Sequence, residues 1–529
     1  MEMESYFRKS FDLPNPDLEN YFLRVVKGND VEYRTPFYKG RPLSSLLKEW
    51  QGHLLQVADQ WPTLYQFEND LAEKVGPMSI MKPLAERMSD IRSYYDSISL
   101  ESKPLLSTAI AAVRDEWCKN ANLTIKSQIH TWNDMKKSTS SGSPYFTKRK
   151  YLYQKTFPAS VSWRGEHVFQ TLANKEWNAC AILGWRGQEG GPEYDDVKQR
   201  VVWMFPLSVN LRELQVYQPL ISYCQTQNLI PAWVSMESVD QRITQLFDTK
   251  GRDDLIVCTD FTKFDQHFNR HLQSVAHILI ESMFSDAAIK DWLVNVFPIK
   301  YMIPLACNYM DVMFGEHGMA SGSGGTNADE TLAHRVLQHE AAILSHAKLN
   351  PNSQCLGDDG ILSYPGINVE DVTLAYSSHG LNMNIDKQYA SALDCTYLRR
   401  WHHRDYRIND ICVGVYSTCR ALGRLCEQER YYDPNKWNAK MVALRQLSIL
   451  ENCKYHPLRE EFVEWCMKGD RYRLGVDLPG FLDNIESEAK KAIDNIPDFL
   501  GYTRSLQAGK DPTAGIADWW IVKFLKSRA

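Results

Sequence analysis

LIVCTDFTKFDQHFNRHLQSVAHILIESMF, residues 255–284, begins as a strand and continues as a helix. Leu255 to Cys258 form a short apolar run that predicts a buried strand. Phe268, Leu272, Val275, Leu279 and Met283 then recur at helical spacing. Asp260 and Asp265 fall at the junction. Asp260 lies past the carboxyl end of the strand, where α/β arrangements place ligands, although a lone Asp there also serves as a helix cap.

Downstream, SQCLGDDGILSYP (353–365) reads as a β-hairpin with Asp358 and Asp359 in its turn. A turn needs one carboxylate. Two adjacent ones repel, and a divalent cation would remove the repulsion. If the fold brings Asp260 to Asp358, the carboxylates could clamp two cations about 3.5–4 Å apart, the arrangement that phosphoryl transfer uses. Magnesium suits such hard oxygen ligands.

Between the two sites runs ASGSGGTNADETLAHRVLQHEAAILSHAKL (320–349). Ser321 to Gly325 predict a flexible loop, and Leu332, Val336, Ile343 and Ala347 mark a long helix after it. A glycine loop entering a helix exposes N–H groups that can cradle an anion or a ribose; a plain linker has the same composition, and the Walker A ending is absent. In DDVKQRVVWMFP, Lys198 and Arg200 alternate and so share one face of a strand, either to hold a triphosphate or as a solvated edge. Lys387, in HGLNMNIDKQYASALDCTYLRRW, could protonate a leaving pyrophosphate. KKSTSSGSPYFTKRKYLYQK (136–155) carries six basic and no acidic residues among aromatics, as a solvated loop or a nucleic-acid contact.

A chain of 529 residues exceeds one hydrophobic core, so several subdomains are expected. Its net charge of −5 does not mark a nucleic-acid binder, so any cationic surface must be local. The amino-terminal stretch MEMESYFRKSFDLPNPDLENYF has no apolar signal region, and no run is long enough to span a bilayer. Twelve cysteines without a CxxC pair predict reduced thiols and no structural zinc; Cys412, Cys419 and Cys426 recur at helix-face spacing. Residues 1–120 read as loops and helices, among them the amphipathic PLSSLLKEWQGHLLQVADQW. Residues 121–250 read as short strand-like runs between Gly/Pro loops, 251–400 as alternating strands and helices, and 403–529 as mainly helical.

In their order these pieces resemble the RNA-dependent RNA polymerases of positive-strand and double-stranded RNA viruses, with the picobirnavirus enzymes nearest and the partitivirus and picornavirus enzymes looser. Thr139 to Tyr145 looks like the template-side motif G, Lys198-Gln199-Arg200 like motif F, and Asp260 with Asp265 like motif A. Ser321-Gly322 with Thr326 looks like motif B, Gly357-Asp358-Asp359 like motif C, Asp386-Lys387 like motif D, and Thr396 to Trp401 like motif E.

The resemblance implies an α+β fold, a closed right hand of fingers, palm and thumb with an RRM-like antiparallel-sheet palm. Residues 1–250 would form the N-terminal extension and fingers, 251–402 the palm with a fingers insertion near 270–310, and 403–529 the thumb and C-terminal tail. It implies template-directed RNA synthesis by two-metal nucleotidyl transfer with primer-independent initiation, replicating and transcribing a viral genome. Asp260, Asp358 and Asp359 would hold Mg2+ (or Mn2+ in its place), and Lys387 would be the general acid. Lys198, Arg200, Asp265, Ser321, Gly322, Thr326 and Asn327 would bind the nucleotide, and Ser141, Gly142, Lys148, Arg149, Lys150, Arg399 and Arg400 the RNA.

In many of these enzymes an Asn stands four residues after the motif B Thr; here that position is Glu330, so Asn327 is the expected partner of Asp265. The implied partners are template and nascent RNA, ribonucleoside triphosphates and capsid protein, for a monomer without a membrane segment, in the virion interior and host cytoplasm. A reverse transcriptase is the alternative enzyme, and Asp265, placed to sense a 2′-hydroxyl, argues against it. A catalytically dead RNA-binding relative is the other alternative, separated by metal-dependent nucleotide incorporation. SLQAGKDPTAGI (505–516) reads as a loop leading into a Trp-rich tail, expected either to close the thumb as a docked helix or to reach the catalytic cleft.

Overall fold

In the computed structural model, which describes residues 3–496 and 511–529, the first apolar run becomes the strand Ile256–Thr259. It is an inner strand of a four-stranded antiparallel sheet, flanked by Asp359–Leu362 and Tyr389–Ser391, with Gln354–Leu356 at the far edge. Val257 and Leu362 enter the largest apolar core, which also takes the helices Arg270–Met283 and Thr326–Leu344. Ile256, Cys258 and Ile361 enter a second core built on the helix Met236–Thr249. Side chains alternate between two cores, not between core and water, so the strand reads as one unbroken apolar run.

A hairpin, Asp394–Tyr397 with Arg400–His403, follows this sheet. Leu398 and Arg399 form its two-residue turn, both with left-handed backbone (φ 51° and 60°), the geometry that matches strand twist. Upstream, Ala181–Gln188 and Lys198–Met204 make a long antiparallel hairpin that the short strands Leu305–Ala306 and Val312–Met313 extend.

The amino-terminal segment bridges two parts of the molecule. Tyr6, Phe7, Phe11, Leu18 and Phe22 pack with Cys180, Ile182 and Ala306 of that hairpin sheet. The helix Leu43–Ala58 instead enters the carboxyl-terminal core, where Leu46, Trp50 and Leu54 join the helices Thr418–Cys426, Ala439–Glu451 and Arg459–Gly469. The Trp50 indole donates to Thr418 Oγ1 at 2.8 Å. Residues 37–75, expected with the amino-terminal half, thus belong by packing to the carboxyl-terminal helices.

The stretch 121–250 also differs from expectation, for it holds the twenty-residue helix Leu207–Thr226. That helix is buried nearly all round and contains Pro219, so neither a one-sided stripe nor an uninterrupted run betrays it. All twelve cysteines are buried and unbridged. Cys419 and Cys426 share a helix as their spacing suggests, whereas Cys412 precedes it. Among the described residues no helix is long and apolar enough to cross a membrane.

Candidate active site

Three elements bring the carboxylates together. Gly360 stands opposite Thr259 across the sheet, so the turn Gly357-Asp358 and the end of the first strand emerge on the same edge. Asp260 and Asp358 are both exposed there. The Gln388 side chain grips the Asp260 backbone on both sides: Oε1 accepts from Asp260 N and Nε2 donates to Asp260 O, each at 2.8 Å.

The turn is pinned from beneath by the helix Thr326–Leu344. Gly357 N donates to Thr331 Oγ1 at 2.9 Å, and His334 Nδ1 donates to Gly357 O at 2.8 Å. Burial holds His334 down to about 4, so it serves as a neutral donor. Asp359 is turned toward the neighbouring hairpin, where Leu398 N donates to its Oδ2 at 2.8 Å. Gln388, Thr331 and His334 carry no local sequence signal; they are ordinary residues made important by what lies across the fold.

The acidic edge faces a cationic wall. The surrounding protein, and next the Asp265 carboxylate, raise Asp358 above the ordinary range, with Arg200 opposing. Burial, and next Asp358, push Asp359 up to about 7. Carboxyls raised by neighbouring carboxylates in this way fit a divalent cation, which would relieve both. Among the described residues no three ligating side chains form a ready cage.

Lys198 and Arg200 are exposed on the strand Lys198–Met204, on one face as their alternation predicts. Burial, and then Lys74, Arg399 and Arg200, hold the Lys198 ammonium below its ordinary range, while Asp260 pulls the other way. Lys74, from the amino-terminal bridge, is a cation of this wall that pattern reading missed. Lys387 is exposed in the short turn before Gln388.

The glycine loop is stapled to this strand. Ser321 Oγ donates to Val201 O at 3.2 Å, and Thr326 Oγ1 donates to Ala320 O at 3.2 Å. A Cβ at Gly322 would lie 1.5 Å from the Trp203 carbonyl oxygen, and one at Gly325 2.2 Å from the Tyr217 ring, so only glycine permits the approach.

Asn327 and Glu330 stand one helical turn apart and both approach Gly357. The expected pairing of Asn327 with Asp265 is not among the hydrogen bonds of the described residues. Asn327 Oδ1 accepts from the Trp233 indole at 2.8 Å, whereas the Glu330 carboxyl lies beside that of Asp265. Burial, and next Asp265, raise Glu330 well above the carboxylate range. Its Oε1 is buried without a partner in the described protein.

The RNA-side expectations divide. Lys148 and Lys150 are exposed beside Tyr151. Ser141 and Gly142 are instead buried and frame the segment: Ser141 O accepts from Leu207 N at 2.8 Å, and Gly142 lies against the Phe205 carbonyl. Arg149 is part-buried and bound to Ser140 and Asn210. Arg400 is buried, forked onto Asp240 at 2.9 and 3.2 Å and bonded to Gly414 O at 3.0 Å, so its charge is consumed within the fold. Arg399, beside it, is exposed and lies 3.8 Å from Glu189.

A family model described as viral RNA-dependent RNA polymerase matches residues 115–409. The chain is 61% identical over 524 residues to the potential RNA-dependent RNA polymerase of Human picobirnavirus, covering 98% of both chains. The crystal structure of the RNA-dependent RNA polymerase of a human picobirnavirus superimposes with a TM-score of 0.95 at 59% identity, and that of its insertion-loop deletion mutant with 0.94 at 58%; each comparison covers 99% of both chains. The fold is the α+β right hand of these enzymes. By sequence and by architecture, the chain belongs to the viral RNA-dependent RNA polymerases.

Proposed function

We propose that the chain replicates and transcribes a viral RNA genome by two-metal nucleotidyl transfer, starting without a primer. The observation that carries this reading is the meeting of Asp260 and Asp358 on one sheet edge, opposite Lys198 and Arg200. Magnesium, or manganese in its place, would supply charge neutralisation for the attacking 3′-hydroxyl and the leaving pyrophosphate. Asp260 and Asp358 would hold it, with Asp359 completing the acidic cluster from below. Lys198 and Arg200 orient the triphosphate, and Lys387 stands ready to give a proton to the leaving group.

Asp265 and Glu330 read the ribose. An acid pair in which Glu330 is buried with one unpartnered oxygen and Asp265 is half-buried offers both a donor and an acceptor to a hydroxyl, and a nucleotide lacking that hydroxyl leaves them unsatisfied. Lys148, Lys150 and Arg399 contact RNA phosphates.

In this reading the four-stranded sheet and the 394–403 hairpin are the palm, the 181–204 hairpin with its surroundings the fingers, and the carboxyl-terminal helices with residues 37–75 the thumb. The viral family supports placing the enzyme, as a monomer beside capsid protein, in the virion interior and the host cytoplasm. The deciding experiment incubates the protein with single-stranded RNA, four ribonucleotides and magnesium, without primer. Full-length complementary product supports the reading. No product without primer, but extension of a primed template, would remove only the initiation route; no product in either case would leave an inactive RNA-binding relative.

A further inference from the structure

The template-side segment 139–150 and the glycine loop 321–325 are joined by an unbroken chain of side-chain hydrogen bonds. It crosses the first turns of the helix Leu207–Thr226. Arg149 anchors one end, its Nε donating to Ser140 O at 3.2 Å and its Nη2 to Asn210 Oδ1 at 2.6 Å. The Asn210 amide then donates to Glu213 Oε1 at 3.1 Å and to Gly322 O at 3.2 Å. Glu213 in turn accepts from Gly324 N at 3.2 Å and from the Ser323 hydroxyl.

Asn210 and Glu213 are buried, so these groups have no water to replace a lost partner. The polarity of the chain is set by chemistry. Arginine only donates and a carboxylate only accepts, so the Asn210 amide cannot turn over without setting like against like. Beneath the loop, Lys300 faces Glu213 and pairs with Asp329 at 3.1 Å, while Tyr217 and Tyr301 each donate to Asp329 at 2.6 Å. Gly322 and Gly325 are pressed on Trp203 and Tyr217, so the loop is packed against its support along its length. Nothing in the reaction itself requires Asn210 or Glu213, and neither is exposed to substrate.

We propose that Glu213 is a positioning residue for the nucleotide site, and that through Asn210 and Arg149 it ties the shape of the glycine loop to the template-side segment. Template engagement and nucleotide affinity then rise together, and linkage makes the coupling reciprocal. The inference rests on the reading above, that the loop meets the nucleotide and the segment meets the template.

The test measures KM and kcat for nucleotide, and template Kd with and without a non-hydrolysable nucleotide, in Arg149→Lys, Asn210→Ala, Glu213→Gln and the double variant Arg149→Ala/Asn210→Ala. Each single variant is expected to raise nucleotide KM about tenfold with a smaller change in kcat, and to lose the synergy between template and nucleotide. The double variant is expected to be no worse than Asn210→Ala. Wild-type KM in a folded Asn210→Ala protein, or additive effects in the double variant, would overturn the coupling. If a buried variant loses its melting transition, Arg149→Lys at its part-exposed site decides alone by the same readouts. Ser321→Ala separates the two levels. An unchanged nucleotide KM there refutes the underlying reading of the loop, whereas a raised KM there beside a wild-type KM in Asn210→Ala refutes only the relay.

Discussion

At the scale of single residues, the site depends on where its carboxyl groups point and on what each of them faces. Asp358 is exposed at the turn tip, its neighbours raise its carboxyl, and Gly357 is held by Thr331 and His334. Asp358→Ala is therefore expected to leave the fold intact and to remove several kcal/mol of transition-state stabilisation, a loss of at least about a thousandfold in synthesis. Melting temperature and template binding should stay near wild type; a folded variant with normal turnover would remove the two-metal assignment. Glu330 is the second case. It contacts Asp265, while the Asn327 carbonyl is committed to Trp233. Glu330→Ala should lower the preference for ribonucleotides over deoxyribonucleotides by about tenfold or more, because a hydroxyl-reading site loses a partner. Asn327→Ala should change that ratio less. The reverse ranking in incorporation efficiencies would return the role to Asn327.

At the scale of elements, legibility follows how local the chemistry is. The strand at 256–259, the aspartate turn and the long helix after the glycine loop could be read because each is declared by its own neighbours in sequence. Gln388 grips Asp260 across 128 positions, and Arg400 neutralises Asp240 across 160; nothing beside either residue announces such a contact. Arg400 shows the consequence. As one of a basic pair it reads as an RNA contact, yet its strand turns it inward. Arg400→Ala should strand the Asp240 charge and cost about 3–5 kcal/mol of stability without altering the salt dependence of RNA binding. Lys148→Ala with Lys150→Ala should do the opposite, lowering the log–log salt slope by about 1 to 1.5 at near-constant melting temperature. Equal slopes for the two proteins would count against the exposed segment as an RNA contact. A further element-level link joins Tyr33–Arg34 to Glu427–Gln428. Burial, and next the neighbouring Glu32 carboxyl, push Glu427 up to about 9 although Arg34 lies 3.2 Å away. Between the ordinary carboxyl range and that value the folded chain keeps a proton the unfolded chain has released. This contribution to stability is therefore fully present at acid pH and is lost as pH rises toward 9. Glu427→Gln should flatten the fall in melting temperature between about pH 6 and about pH 9, and an unchanged profile would mean the acid ionises normally.

At the scale of the whole molecule, the two ends of the chain are sewn into the same helical core. The amino-terminal bridge brings Trp50 to Thr418, and the hairpin tip reaches the same helix where Glu189 accepts from Arg420 Nε at 2.7 Å. Hairpin, bridge and helices are thus linked in one circuit of contacts, which no single stretch of sequence could disclose because its links run between distant halves. The carboxyl-terminal tail belongs to this circuit. Residues 505–510 of the expected loop lie outside the described residues, but the tryptophan-rich segment forms the helix Trp520–Lys526. Ile521, Val522, Phe524 and Leu525 are buried in the carboxyl-terminal core, and Glu451 accepts from the N–H groups of Trp520 at 3.2 Å and Ile521 at 2.9 Å. That is a docked closing helix, the structural alternative that the sequence left beside a cleft-reaching tail. Fully burying side chains of this size contributes about 1.5–3 kcal/mol each, so the helix outweighs any single surface contact in this core. Removing residues 511–529 should therefore lower the melting temperature and depress primed and unprimed synthesis together, since the helices that carry the closure loosen as one. Intact melting with faster primed extension would instead make the tail a regulator of RNA access. Loss of unprimed initiation alone would make an aromatic of the tail a stacking platform for the first nucleotide.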